Sequence, residues 1–298
     1  MQFFLEVAIG GLLAGVMYSL VALGFVLIYK ASGVFNFAQG AMVFFAALTF
    51  VSLEEKGLSF WVAIAITLAA MVVLGILIER VVLRPLVGQP QISLFMATIG
   101  LTFFIEGLAQ ALWGAQVHLL ELGIPDVPVK SIQQATGINI SQFDLFAAGV
   151  AGVLVTVLAL FFQYTRVGRA LRAVADDHQA AMSVGIPLHY IWAIVWAVAG
   201  FVALVAGLIW GARGGGVQYA LTFTALKALP VLILGGFTSI PGAIVGGLIV
   251  GSTEKLAEVY IGPIIGSGIE NWFPYMLALL FLLVRPEGLF GEKIIERV

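Results

Sequence analysis

Residues 1–30, "MQFFLEVAIGGLLAGVMYSLVALGFVLIYK", decide the class of fold. Between Glu6 and Lys30 runs an uncharged apolar stretch, and a helix needs roughly 20 such residues to cross a bilayer. The stretch has no basic leading region, and its apolar run is too long for a cleavable signal. It is therefore expected to be kept as the first membrane span. The rest of the chain keeps to the pattern. Of its 298 residues 61% are hydrophobic and 10% charged, and the mean hydropathy is +1.10. Soluble domains lie near 45–50% and about 25%. The composition predicts an all-α, polytopic transmembrane helical bundle.

Nine apolar segments are expected: 5–29, 34–53, 60–78, 92–113, 143–162, 191–211, 221–237, 242–256 and 272–284. The seventh and eighth are short and rich in Gly and Pro. They read as full spans or as broken, re-entrant ones, for about eight to nine membrane segments in all. Cytoplasmic loops collect Lys and Arg. With the amino terminus outside, Lys30, Arg80, Arg84, Arg166, Arg169, Arg172, Arg285, Lys293 and Arg297 fall on the cytoplasmic side. Those are nine of the fourteen basic residues. Lys56, Lys130, Arg213 and Lys255 fall outside, and Lys227 within the membrane. The expectation is amino terminus out, carboxyl terminus in. Loop 114–141 is then external, either a cap or docking surface or an uninvolved loop. Net charge is −2 and the pI about 5.9, without the basic clustering of nucleic-acid binders. The absence of cysteine excludes disulfides, thiolate metal sites and a cysteine nucleophile.

Segment 165–190, "TRVGRALRAVADDHQAAMSVGIPLHY", interrupts this apolar chain with charge. On one helix Leu171, Val174, Ala175, His178, Ala181 and Met182 share a face, and Arg169, Arg172, Asp176, Gln179 and Ser183 take the other. Arg172 and Asp176 are spaced to pair. Gly185 and Pro187 end the helix. A helix lying on the membrane surface is one reading. Its small residues and balanced charge fit close docking to a soluble cytoplasmic partner better.

At these residues the chain resembles the permease subunits of branched-chain amino-acid ABC transporters, the LivH type. "GRALRAVADDHQAAMSVGI" is similar to that family's cytoplasmic coupling segment. "GLLAGVMYSLVALGFVLIYKASGVFNFAQGAMVFFAA" resembles its first two spans, "LKALPVLILGGFTSIPGAIVGGLIVGSTE" its glycine-rich segments, and "LLVRPEGLFGEK" its carboxyl terminus. The four ordered blocks cover nearly the whole chain. His178 departs from the family pattern, where an acidic residue or proline is common.

The resemblance implies a single permease domain over 1–298 in a bacterial plasma (inner) membrane. Its partners would be a second permease subunit, two cytoplasmic ATPases and an extracytoplasmic binding protein. ATPase coupling would fall to Arg166, Gly168, Arg169, Leu171, Arg172, Ala173, Asp176, Asp177, Ala181, Gly185 and Ile186. ATP and Mg would be held by the ATPases. This chain has no GxxxxGK[ST] loop, and its glycine-rich "GARGGGVQYA" lacks the following Lys-Ser/Thr. No cofactor of its own is expected.

Other residues stand out. Asn36, Phe37 and Gln39 lie in "GVFNFAQGA" between Gly33 and Gly40. They read as pathway lining at a helix break or as interhelical hydrogen bonding. Glu106 is read as the one carboxylate deep in a span and Lys227 as the one lysine. They would pair with each other, be satisfied separately, or hold the two ends of a zwitterionic substrate. Glu254 and Lys255 are expected to reach water. Gly242, Gly246, Gly247 and Gly251, with Gly11 and Gly15, set small-xxx-small frames for helix packing or a subunit interface. His118, His178 and His189 do not make a metal site. No HExxH or GxSxG motif occurs.

Cargo stays open: branched-chain or related hydrophobic amino acids, or urea, amides or aromatic acids. So does the permease pair, a copy of this chain or a paralogue. A stand-alone secondary transporter would want an inverted repeat and several buried acids. An enzyme would want a reactive constellation inside the spans. Neither set is visible.

Overall fold

The computed structural model describes residues 2–86, 88–266 and 268–291. Lys293 and Arg297 lie outside the described residues, and so does the side chain of His178. The described chain is helical throughout. In order come α1 (Gln2–Ser32), α2 (Gln39–Glu55), α3 (Phe60–Leu77), α4 (Gln91–Trp113), α5 (Lys130–Thr136), α6 (Gln142–Tyr164) and α7 (Arg166–Asp176). They are followed by α8 (His178–Ser183), α9 (Leu188–Arg213), α10 (Ala220–Leu226), α11 (Ala228–Gly235), α12 (Ile240–Tyr260), α13 (Gly262–Ile265) and α14 (Phe273–Val284). Extended pairing among the described residues is limited to two isolated bridges, His118 with Val217 and Pro128 with Ser141.

Among the described residues five helices are long and apolar enough to cross a membrane: α1, α3 with its extension to Leu86, α4, α6 and α9. A sixth crossing is counted if α10–α11 and α12, bent by 116° at their junction, form one span. That is short of eight or nine. One reason is that α2 starts only at Gln39 and has 17 residues, because 33–38 leaves the helix. Another is that α14 has only 12 residues. The apolar window of α1 is 83% buried, against 28% for α3. So α1 is an interior helix, while α3 keeps one stripe inward (Ala63, Thr67, Met71, Gly75) and turns large apolar side chains such as Trp61 and Val73 outward. An apolar outward face suits lipid or another membrane subunit.

The chain forms two compact units. One comprises 1–22, 123–156 and 227–298. In it α11 and α12 pack tightly on each other, with α14 against both. The start of α1 meets α12 through glycines. A methyl group on Gly11 would stand 2.7 Å from the Gly251 carbonyl oxygen, and one on Gly15 2.5 Å from that of Gly247. The turn after α11 passes through Gly236 at φ +99°. The last carbonyls of α11 are met from far along the chain: Leu289 N–H donates to Leu234 O at 2.8 Å and Phe290 N–H to Gly235 O at 3.1 Å.

The other unit comprises 23–122 and 157–226. Its centre is α2, which packs against α3, α4, α9 and α10 and is buried from Gln39 to Phe44. Small residues permit this. A Cβ on Gly207 of α9 would lie 2.6 Å from the Val43 carbonyl oxygen, and one on Gly40 of α2 2.8 Å from that of Thr222 in α10. After α3 the helix widens into a π-helical turn, Ile78–Leu83, and a short 3-10 turn, Arg84–Leu86.

Candidate functional site

The non-helical link between α1 and α2 is built from amide side chains. Asn36 and Gln39 are fully buried. Asn36 Oδ1 accepts the Ala38 N–H at 3.0 Å, and its Nδ2 donates to Gln39 Oε1 at 3.3 Å. Gln39 Nε2 donates on to the Ala199 carbonyl of α9 at 3.4 Å. Gly24 makes room for Gln39, since a Cβ there would stand 2.7 Å from Nε2. The carbonyls freed by the break also find donors. Trp192 Nε1 reaches Ala31 O at 2.8 Å and Thr98 Oγ1 reaches Phe35 O at 3.1 Å. Breaking a helix at membrane depth requires such donors. Phe37 is half-buried and sets its edge against Phe35 (4.6 Å) and Phe95 (5.0 Å). Beside these rings lies a cavity of about 370 Å³ lined by Tyr29, Gly33, Val34, Phe35, Gln91, Ile92 and Phe95.

Glu106 is 5% exposed. Its Oε2 accepts the Tyr219 hydroxyl at 3.2 Å, and the Thr222 side chain stands beside the same carboxylate. The Tyr219 ring meets Phe44 of α2 edge-on at 6.2 Å and Phe223 at 5.5 Å.

Lys227, in the other unit, has its own partner: Nζ donates to Glu254 Oε1 at 3.0 Å, and the Tyr18 hydroxyl donates to the same oxygen at 3.2 Å. Of the three arrangements open for Glu106 and Lys227, pairing with each other is not the one seen, since Lys227 is taken by Glu254. The structure also overturns two expectations. Glu254 does not reach water, being 1% exposed, and Glu106 is not the one deep carboxylate. Glu254 sits on the inner face of α12 because that face is built of small residues, Gly247, Val250 and Gly251, that bring α1 and its Tyr18 close. Lys255, one residue on, points away and pairs with Glu270 at 2.9 Å. Glu79, in the π-helical turn, is likewise 4% exposed, with Oε1 unpartnered. Neither glutamate has a local signal: Tyr18 is 236 residues from Glu254, and a widened turn shows only in the backbone.

The glycines Gly242, Gly246, Gly247 and Gly251 are buried inside the chain. Gly242 abuts Gly235, Gly246 the Val231 carbonyl, Gly247 Ser19 and Gly15, and Gly251 Gly11.

Segment 165–190 is two helices, not one. Asp177 is extended (φ −157°, ψ 115°), and its carboxylate accepts the N–H groups of Gln179 (2.7 Å) and Ala180 (3.0 Å). An aspartate offers backbone donors an alternative to the helix ladder, and here it starts a new helix. Thr165 caps α7 by accepting the Gly168 N–H at 3.2 Å. Arg172 does not turn to Asp176. Its guanidinium donates to the carbonyls of Phe162 (2.8 Å) and Gln163 (3.2 Å), the open end of α6, and Arg169 reaches Tyr164 O at 3.2 Å. Cations are favoured at that end of a helix. Gly168, Leu171, Val174 and Ala181 are buried, Ala173 and Ile186 half-buried, and Arg166, Arg169, Asp176, Asp177 and Met182 exposed. Gly185 (φ +88°) ends α8 and lets Ile186 N–H return to Ala181 O at 3.0 Å. His118 is held on Glu55 (2.9 Å) and the Trp113 carbonyl (3.2 Å).

Apolar helices of membrane length and a broken segment stitched by buried amides are the features of a helical membrane protein. The sequence matches the family "Branched-chain amino acid transport system / permease component" over residues 7–285. The chain belongs to that family. It is 28% identical to the high-affinity branched-chain amino acid transport system permease protein BraD of Pseudomonas aeruginosa, over 99% of this chain and 98% of that one. It is 29% identical to LivH of Escherichia coli over the same shares. More distantly, it is 23% identical to the fructose import permease protein FruF of Bifidobacterium longum, over 80% of this chain and 66% of that one. Among solved structures, PsaBC from Streptococcus pneumoniae in complex with Fab aligns at a TM-score of 0.49 and 16% identity over 92% of this chain and 89% of that one, too loose a likeness to carry an argument.

Proposed function

We propose that this chain is the permease subunit of an ATP-driven importer of branched-chain or related hydrophobic amino acids. It works with a second permease, a copy or a paralogue, two cytoplasmic ATPases that hold ATP and Mg, and an extracytoplasmic binding protein that delivers the cargo. In this reading eight or nine segments lie in the membrane, the amino terminus is outside and α7–α8 faces the cytoplasm. Closure of the ATPases pushes on α7–α8. The push passes into α6 through the Arg172 guanidinium and into α9 through the buried Leu171–Val174 face, and alternating access follows. The link 33–39 and Glu106 line the pathway.

One observation carries the reading: α7–α8 is capped at the start of each helix and clamped to the end of α6, yet keeps its charged face exposed. A segment fixed at its base and free at its surface transmits force from a partner. The test is co-purification from the native host with a tag at Val298. Recovery of two ATPases and a second permease is expected. A chain recovered alone that still moves substrate into ATP-free vesicles would overturn the proposal.

A further inference from the structure

We infer that Glu106, Tyr219 and Thr222 form a binding site for a primary ammonium group. The inference rests on the permease reading for the identity of the amine as cargo, though not for the binding itself. Three glutamates are buried in the described residues: Glu79, Glu106 and Glu254. Glu254 already has a cation, with Lys227 Nζ at 3.0 Å. Glu106 has none among the described residues. Its hydrogen-bond partner is the Tyr219 hydroxyl at 3.2 Å, and the Thr222 hydroxyl stands nearby. A carboxylate held away from water without a cation is costly. The cost falls when a cation arrives.

The surroundings match an ammonium. Thr222 is 3% exposed, and its hydroxyl, though beside the carboxylate, completes no hydrogen bond. It is an acceptor with nothing to accept. The Tyr219 ring that carries the hydroxyl is itself held edge-on by Phe44 at 6.2 Å and Phe223 at 5.5 Å. An ammonium has three N–H donors. The site offers two of them recipients, the Glu106 carboxylate and the Thr222 hydroxyl oxygen. Tyr219 and Phe223 are 41% and 56% exposed, so the aromatic side of the site opens outward from this unit while Glu106 forms its floor. Glu79 shows no such set: no hydroxyl or aromatic partner accompanies it among the described contacts. Lys227, engaged by Glu254, does not serve as the complementary carboxylate holder.

The experiment uses the purified full chain in lipid nanodiscs, together with its partners if they co-purify. Isobutylamine at neutral pH is titrated against thermal unfolding, with isobutanol and isobutyrate as neutral and anionic controls. The amine is expected to raise the unfolding midpoint and the controls to leave it unmoved. Glu106→Gln should raise the apparent Kd for the amine about tenfold or more, as expected for loss of a charged hydrogen-bond partner. Thr222→Val, which keeps the shape and removes the hydroxyl acceptor, should weaken binding about threefold, the loss of one neutral hydrogen bond. Equal response to isobutanol and isobutylamine, or an unchanged Kd in Glu106→Gln, overturns the site. If Glu106→Gln fails to fold, an unchanged Kd in Thr222→Val overturns it. ATPase co-purification is read separately, so failure of the importer reading and failure of this site are told apart.

Discussion

Lys227 and Glu254 are a buried pair, with 15% and 1% of their side chains exposed. Removing one partner strands the other, which costs about 3–5 kcal/mol, whereas removing both leaves no bare charge. Lys227→Met should therefore lower the unfolding midpoint in detergent sharply, and Lys227→Met with Glu254→Gln should recover most of the loss. A double variant as unstable as the single would mean that the pair does not act as a unit. The glycines of α12 give a second prediction. A Cβ on Gly247 collides with Ser19 and stands 2.6 Å from the Gly15 carbonyl oxygen, whereas one on Gly10 meets nothing within 4 Å. Overpacking costs about 1–3 kcal/mol, so Gly247→Ala should destabilise and Gly10→Ala should not, by the same measurement. Lys227 was readable as an intramembrane charge. Its partner was not, because nothing in the local sequence ties residue 227 to 254.

α7 and α8 are joined by one extended residue that is also the cap of the second helix. Asp177→Ala removes the acceptor for two N–H groups, a loss of about 1 kcal/mol to the start of α8. The expected result is faster trypsin cleavage at Arg172 in inside-out vesicles and weaker ATPase capture, with Asp177→Asn close to wild type. Equal cleavage of all three would show that the cap does not hold the joint. The sequence showed the amphipathic face here, and Leu171, Val174 and Ala181 are indeed buried. It hid the break because helical periodicity survives a one-residue interruption, and Asp176–Asp177 reads equally well as a charged helical surface. The end of α8 was plain, since Gly185 and Pro187 are local signals. Asn36 and Gln39 were visible as polar residues between glycines, but their hydrogen bond to Ala199 joins positions 160 residues apart.

The whole chain contains no cysteine, so each introduced cysteine is a unique probe of sidedness. Val184 is 79% exposed at the end of α8, and Leu119 is 73% exposed in loop 114–141. With the amino terminus outside, Leu119→Cys should react with an impermeant maleimide in intact cells and Val184→Cys only after the cells are opened. The reverse pattern would invert the topology. Composition revealed the membrane class at once, and apolar runs located most helices to within a few residues. The division between the seventh and eighth segments was legible too, but the 116° angle between them was not, because contacts made elsewhere set it. The turn after α11 has a consequence for synthesis. The carbonyls of Leu234 and Gly235 are met by Leu289 and Phe290, which leave the ribosome roughly fifty residues later, at a few residues per second. The end of α11 therefore gains these two hydrogen bonds only after residues 289 and 290 have been made.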